Sequence, residues 1–304
     1  LETYIFEDDS TGRTVVDALA AAARRGVSVR VLVDGFGSPL FSSTLMPTLT
    51  EAGVMALIYR PERARFSFRR HRLRRLHRKL AVIDGRIAFV GGINIIDDLN
   101  TPDRSPARYD YAVRVEGALL VPIRRAMHRL WELVAWVSAK RRFRIVREPL
   151  PPSAPEGEQM AAFVVRDNIR HRRDIEEAYL AAIANADESI LIANAYFLPG
   201  RRFRRALVAA VQRGVKVTIL LQGRIEYRLL HYATQALYAR LLSGGIRIFE
   251  YHHSFLHAKV AVVDREWATV GSSNIDPFSL MLAKEANIVA LDGKIAAELR
   301  DSLE

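Results

Sequence analysis

The 304-residue chain is 50% hydrophobic and carries 45 Lys+Arg against 34 Asp+Glu, a formal net charge of +11. It has no cysteine, which excludes a disulfide framework, a thiolate metal site and a cysteine nucleophile. The apolar content supports a large core in one or two domains, and the charge favours a polyanionic partner, either nucleic acid or an anionic membrane surface. No apolar run approaches the roughly 18 residues needed to span a bilayer, and the start is not a signal peptide. The chain opens at Leu1 rather than Met, inside an apolar stretch, and reads as a fragment whose upstream part is an open question.

In chain order, the first element is a short strand-like segment around Tyr4-Ile5-Phe6. Residues 19–35 (LAAAARRGVSVRVLVDG) read as a helix ended by Gly26, then a β-branched strand ending at Asp34-Gly35. The segment Arg60–Leu76 carries eight arginines and one glutamate. Next come a strand over Lys79–Asp84, a turn at Asp84-Gly85 and a strand over Ile87–Val90. Ala118–Phe143 reads as a helix, with Ile123, Met127, Leu130, Val134 and Val137 at three-to-four spacing. Trp131 and Trp136 on it suit core packing better than interfacial anchoring. The stretch 147–158, with four prolines, reads as a linker.

The second half repeats the first. After a helix at roughly Ile175–Ala186, residues 207–223 (LVAAVQRGVKVTILLQG) match 19–35, with Gly214 at the position of Gly26. Residues 257–275 (HAKVAVVDREWATVGSSNI) match 77–95 (HRKLAVIDGRIAFVGGINI) without a gap, 180 positions on. A third echo sets Tyr4-Ile5-Phe6 beside Tyr196-Phe197-Leu198, which puts Leu1 opposite Ala193. The expected organisation is an α/β domain over 1–146, a linker over 147–158 and a similar domain over 159–304. Each is a mixed sheet flanked by helices, and the two form a pseudo-twofold pair.

The repeated unit is His-x-Lys-x4-Asp: His77, Lys79 and Asp84, then His257, Lys259 and Asp264. Along a strand of period two, the histidine and lysine share a face. Gly91, Gly92 and Gly271 permit close backbone approach, and Asn94 and Asn274 follow on the turn. An imidazole, an ammonium and amide donors suit a phosphate whose developing charge spreads over its oxygens. Two such sets supply a nucleophile on one side of phosphorus and a proton donor on the other. No metal is required. Asp84 and Asp264 sit at strand ends, where turn hydrogen bonding is the preferred reading over direct chemistry. His128, His171 and His231 read as surface or packing residues. His252, His253 and His257 lack the cysteines or matched carboxylates of a metal cluster.

This doubled pattern resembles the phospholipase D superfamily signature over both halves of the chain. The resemblance implies a covalent phosphohistidine intermediate without a cofactor, His77 as nucleophile, and His257 as general acid and then base. It also implies a downstream carboxylate in each half that orients a histidine: Glu285 in the second, Asp110 in the first, five residues further from its motif than Glu285. Asn94, Asn274 and Ser272 would bind substrate, with Gly92 replacing Ser272 in the first half. Within the superfamily, YIFEDD, VLVDGFGS, NAYFLPG and HAKVAVVDREWATVGSSNIDPFSL are most similar to bacterial cardiolipin synthases of the shorter type. That likeness implies a phosphatidyltransferase working peripherally on the cytoplasmic side of the bacterial cell membrane. Its substrate would be anionic phospholipid, and Arg60–Leu76 would touch the membrane surface, with Phe66 and Phe68 dipping into it. The alternatives are a phospholipase or nuclease of the same superfamily, which would bring nucleic acid in as partner, and a catalytically dead binding protein.

Overall fold

The computed structural model describes residues 1–61, 74–101, 106–140, 143, 159–225 and 228–304. Most of the basic segment Arg60–Leu76 and the whole 147–158 linker lie outside the described residues. The chain forms two compact units. One comprises Leu1–Phe89, Asn94–Asp97 and Arg114–Gly157; the other comprises Val90–Ile93, Asp98–Val113 and Glu158–Glu304.

Six strands form one mixed sheet: β1 (Glu2–Thr3), β2 (Arg30–Asp34), β3 (Met55–Tyr59), β4 (Lys79–Ile83), β5 (Ile87–Gly91) and β6 (Ala112–Val115), in the order β3-β2-β1-β4-β5-β6. Strand β1 runs parallel to β2 and antiparallel to β4. Helices α1 (Ser10–Arg24), α2 (Leu45–Glu51) and α3 (Leu120–Val137) accompany it. The second sheet holds β7 (Met160–Arg166), β8 (Ser189–Asn194), β9 (Lys216–Gln222), β10 (Arg247–Tyr251), β11 (Lys259–Val263), β12 (Trp267–Gly271) and β13 (Glu285–Leu291). Their order, β10-β9-β8-β11-β12-β13-β7, repeats the first sheet and adds β7 at the edge. The helices here are α4 (Asp174–Ala184), α5 (Arg201–Gln212), α6 (Arg228–Gln235), α7 (Tyr238–Ser243), α8 (Pro277–Met281) and α9 (Gly293–Leu303).

The repeated helix–strand block folds as its pattern requires. The Asp9 carboxylate caps α1 by accepting the Gly12 N–H at 2.8 Å. Gly26 (φ +92°) and Gly214 (φ +95°) end α1 and α5 in the left-handed region that glycine enters without steric cost. Val31 and Val33 of β2 then face one core cluster with Phe6, Val16 and Leu49, while Leu32 joins the other with Leu57, Leu76 and Trp131. The expected helix over 118–143 is shorter: a 3-10 turn at Gly117–Leu119 leads into α3, which ends at Val137. Its two tryptophans part company. Trp131 is buried and donates its indole N–H to the Phe143 carbonyl at 2.8 Å, whereas Trp136 is 78% exposed.

Strand register corrects the third sequence echo by one residue. Glu2 pairs with Leu80, and Ala193 pairs with Val260, the repeat partner of Leu80. Isolated bridges join Phe6 to Ile95 and Phe197 to Ile275, again repeat partners. Phe6 therefore corresponds to Phe197, Tyr4 to Ala195 and Leu1 to Ile192, not Ala193. A slip of one inverts which face each side chain takes.

The corrected register exposes a substitution between halves. Glu2 and Arg78 form a buried two-armed ion pair, Nε to Oε2 and a terminal nitrogen to Oε1, both at 2.9 Å. Their counterparts are Ala193 and Ala258, both buried. One half fills these positions with paired charge, the other with two small apolar side chains. Arg78→Met or Glu2→Gln alone leaves an uncompensated charge and is expected to cost about 3–5 kcal/mol. The double replacement Glu2→Ala/Arg78→Ala, which copies the second half, should cost clearly less than the sum of the two alanine singles. A double-mutant cycle from urea denaturation checks this, and additivity would contradict it.

Candidate active site

Each motif begins one residue after an isolated bridge residue, Leu76 or Leu256, and enters its strand at the lysine. In the first motif, Arg78 turns inward to Glu2, so His77 and Lys79 share the opposite side, as the period of two predicts. The Lys79 ammonium donates to the His77 carbonyl at 2.8 Å. The Tyr4 ring lies edge-on to His77 at 4.9 Å between centroids, with the Lys79 ammonium 5.4 Å from its centre. Just upstream, the buried Asp34 carboxylate accepts the Leu76 N–H at 2.8 Å and the N–H groups of Phe36 and Gly37. Burial pushes the Asp34 carboxyl above its ordinary value, against these hydrogen bonds and Arg75. Asp34 thus pins the chain leading into His77. Sequence reading did not single out Asp34 or Tyr4; their only signal was position, at the end of β2 and just after β1.

The second motif is more enclosed. Lys259 is fully buried and donates to the His257 carbonyl. The His257 Nδ1 lies 2.6 Å from Asp110 Oδ2. Burial alone would raise the Asp110 pKa, but Lys259, His257 and the Tyr111 N–H together outweigh it and hold the carboxyl below its ordinary value. An ionised carboxylate only accepts, so Nδ1 carries the proton, and in the neutral ring Nε2 holds the lone pair.

Asp110 was expected as the carboxylate of the first half. The structure confirms its equivalence to Glu285: the Gly92 N–H bonds the Tyr111 carbonyl, and the Ser272 N–H bonds the Ala286 carbonyl. Yet Asp110 serves the histidine of the second motif. It is delivered there by a short ladder in which Tyr109 N–H donates to Phe255 O and His257 N–H donates to Tyr109 O. Tyr109 and Tyr111 flank Asp110 and point the other way. Their hydroxyls bond one another at 2.9 Å, and Tyr109 also donates to the Ser302 carbonyl at 2.8 Å. The alternation in Tyr-Asp-Tyr was the available signal for this anchor.

Ser272, expected to bind substrate, donates its hydroxyl to Glu285 Oε2 at 2.6 Å and accepts the Ala286 N–H at 3.0 Å. That makes it a holder of the carboxylate. Gly92 fills the equivalent place, and a Cβ there would come within 2.3 Å of Asp110 Oδ1. The two departures are linked: the shorter Asp packs against glycine, the longer Glu is tied by serine. Asn94 Oδ1 accepts the Ile5 N–H at 3.2 Å. Asn274 is buried, and its Oδ1 has no partner among the described residues.

The motif aspartates stand apart from this chemistry. Asp264 lies five residue steps along the strand from Lys259, roughly 17 Å at the usual rise, so one phosphate cannot contact both. Asp264 takes φ +52° at the hairpin and accepts the N–H groups of Asp187, Glu188 and Ser189. Burial would raise its pKa, but those three donors and Arg300 bring it below the ordinary value. Asp84 takes φ +53° at the matching turn and is exposed. The turn reading, preferred from sequence, describes both positions. A separate groove of about 1050 Å³ in the second unit, lined by Lys216, Arg247, Phe249 and Arg300 among others, contains no motif residue. Among the described residues no His/Asp/Glu group is arranged to hold a metal ion.

Each repeated mixed sheet carries a His-x-Lys motif, and in the second a carboxylate meets the imidazole; this is the motif arrangement of the phospholipase D class. The family described as cardiolipin synthase, PLD-like domain, matches residues 1–104 and 179–304. Cardiolipin synthase B of Shigella flexneri is 42% identical over 303 residues, which cover 100% of this chain and 73% of that protein. Cardiolipin synthase 2 of Bacillus anthracis is 32% identical, covering 100% and 59%. The solved phosphatidylserine synthase of Haemophilus influenzae shares the fold, with a TM-score of 0.69 at 13% identity over 99% of this chain and 78% of that one. The chain belongs to the PLD-like cardiolipin synthase family.

Asp110→Asn keeps the shape and loses the charge that fixes the His257 tautomer. Turnover should fall by about 10²–10⁴-fold. The sign of the pH effect follows from the lowered pKa: the ionised pair contributes fully above the ordinary carboxylate range, near 3.9, and is lost only as pH falls through the lower folded value. The thermal-stability gap between parent and variant should therefore be present at pH 7 and close in strong acid. An unchanged kcat in a variant with native circular dichroism would remove Asp110 from the machinery.

Proposed function

We propose that this chain is a phosphatidyltransferase that makes cardiolipin from phosphatidylglycerol through a phosphohistidine. The observation that carries this reading is the bond between Asp110 and His257 Nδ1, which leaves Nε2 as the proton-exchanging atom. His77 attacks phosphorus, a P–N bond forms, and the P–O bond to glycerol breaks. His257, as imidazolium stabilised by Asp110, gives its proton to the departing glycerol oxygen. The hydroxyl of a second phosphatidylglycerol then loses its proton to His257 and attacks phosphorus, and the P–N bond breaks to free His77. Lys79 and Lys259 supply positive charge for the non-bridging oxygens, and Asn94 and Asn274 are read as amide donors to them. Glu285, in Asp110's place in the repeat, is read as a second histidine-orienting carboxylate. Water as acceptor turns the same steps into phospholipase D hydrolysis.

The relatives' names and the family match support lipid over nucleic acid as substrate. Membrane association follows the same reading, placed at the cytoplasmic face and involving Arg60–Leu76. No described helix is long and apolar enough to cross a membrane.

Phosphatidylglycerol labelled in the phosphatidyl phosphate should leave label on the protein that is stable in base and lost in acid. His77→Ala should abolish that label and lower turnover by at least about 10⁴-fold. Label that persists in His77→Ala would assign the nucleophile elsewhere. Single-stranded DNA cleaved in preference to the lipid would replace the substrate class.

EDTA should leave the rate unchanged, because the lysines supply the charge a metal would otherwise bring. Chelation that stops turnover, with rescue by a divalent ion, would overturn the metal-free route. Replacing Arg69, Arg70, Arg72 and Arg74 with Gln should weaken co-sedimentation with anionic liposomes and reduce its salt sensitivity, with little effect on a short-chain soluble phosphodiester. Normal liposome binding with lost soluble turnover would place these arginines in the site instead.

A further inference from the structure

The second unit exposes apolar side chains where its fold has no need of them. Helix α8 is capped by Asp276, whose carboxylate accepts the Phe278 and Ser279 N–H groups at 2.7 and 3.1 Å. That cap turns Ser279 and Leu280 inward and leaves Phe278 55% and Met281 65% exposed on one face, three residues apart. Across from α8, the loop after β7 is tied by Asp167, whose Oδ1 accepts the N–H groups of Ile169, Arg170 and His171 at 2.8–3.0 Å. The loop is a built turn, and Ile169 stands at its tip, 82% exposed.

The two features are joined by one buried guanidinium. Arg166 donates to Asn168 Oδ1 at 2.9 Å on the loop side, and to the Met281 and Ala283 carbonyls at the end of α8. Arg166 therefore holds the Ile169 loop beside the end of α8. Exposed Arg170 and Arg172 lie beside it on the loop, and Lys284 beside α8 is near enough to Asp167 to lower its carboxyl pKa together with the turn N–H groups, against the opposing effect of burial. Arg166 pairs in register with Glu285, so this surface lies at the end of the sheet that carries Glu285 and Ser272.

Apolar tips ringed by cations match the two layers of an anionic bilayer, acyl chains below and phosphates above. We propose that Ile169, Phe278 and Met281, with the basic residues around them, form a docking surface by which the second unit enters an anionic membrane at the end of the sheet that carries Glu285. This deepens the lipid reading given above and rests on it, but it concerns residues with no part in the chemistry.

The absence of cysteine gives a clean test. Ile169→Cys labelled with an environment-sensitive fluorophore should brighten several-fold and shift to the blue with vesicles containing phosphatidylglycerol. It should respond little to pure phosphatidylcholine, and less in high salt. Lys294→Cys, at the start of α9 and roughly 20 Å along β13 from Lys284, should stay silent. Phe278→Ser/Met281→Ser should weaken vesicle binding by about tenfold or more. A silent Ile169 label, an equal response at Lys294, or a response that needs only higher protein concentration without lipid would overturn the proposal. Turnover of dispersed short-chain phosphatidylglycerol by the same samples separates the two readings. Turnover with a silent label removes the docking surface alone, whereas a vesicle response without any phospholipid turnover removes the catalytic reading and leaves the surface standing.

Discussion

The contact between Asp110 and His257 organises the second unit. A carboxylate buried at this depth is costly unless its charge is answered, and here Lys259, His257 and a backbone N–H answer it together. Because the charge persists, the imidazole proton is fixed on Nδ1. The side chain that fixes it comes from the segment following the first motif, so the second motif is incomplete without residues 98–113. This explains why that stretch clusters with the second unit although it lies, in sequence, in the first half. It also explains the investment in holding it: two backbone hydrogen bonds to the strand-like stretch 255–257, and a hydroxyl chain from Tyr111 through Tyr109 to α9. If the ladder slipped by one residue, Asp110 would face away from His257.

The repeat shows which features of the fold are fixed by geometry and which are free. Both sheets keep the same strand order, both strand-leading helices end on a left-handed glycine, and both hairpins turn on an aspartate of positive φ. Around that frame the halves use different chemistry at matched positions. A buried ion pair in one is a pair of alanines in the other, and Tyr4 against His77 becomes Ala195. Gly92 against Asp110 becomes Ser272 bonded to Glu285. The two histidines therefore sit in unlike surroundings. That difference suits the proposed route, in which one imidazole bonds phosphorus and the other carries a proton.

Of the three residues that define the motif, the histidine and lysine are the groups proposed for the chemistry, and the aspartate is architectural. The histidine and lysine open the strand; the aspartate closes it, about five residues away. There it supplies the positive-φ turn, and in the second half it also gathers the three N–H groups that start β8. Its constancy between halves is a requirement of the hairpin and of the strand order, which place β11 against β8. This separates spacing that reports chemistry from spacing that reports folding.

The sequence by itself determined the duplication, the mixed α/β class, the helix-ending glycines, the motif hairpins to within a residue and the shared side of His77 and Lys79. All of these follow from local periodicity and from residues with narrow backbone preferences. Family membership was legible in the same segments. Tertiary structure decided the rest. It set the register of the first strand one residue away from the sequence alignment, because pairing partners across a sheet choose register. It gave Asp110 to His257, because only the ladder between 109 and 255–257 brings together residues 147 positions apart. It gave the Ser272 hydroxyl to Glu285, a contact between residues 13 positions apart that spacing alone does not specify. It also split Trp131 from Trp136, because helix periodicity places both on a helix but only the packing of α3 says which one meets the core.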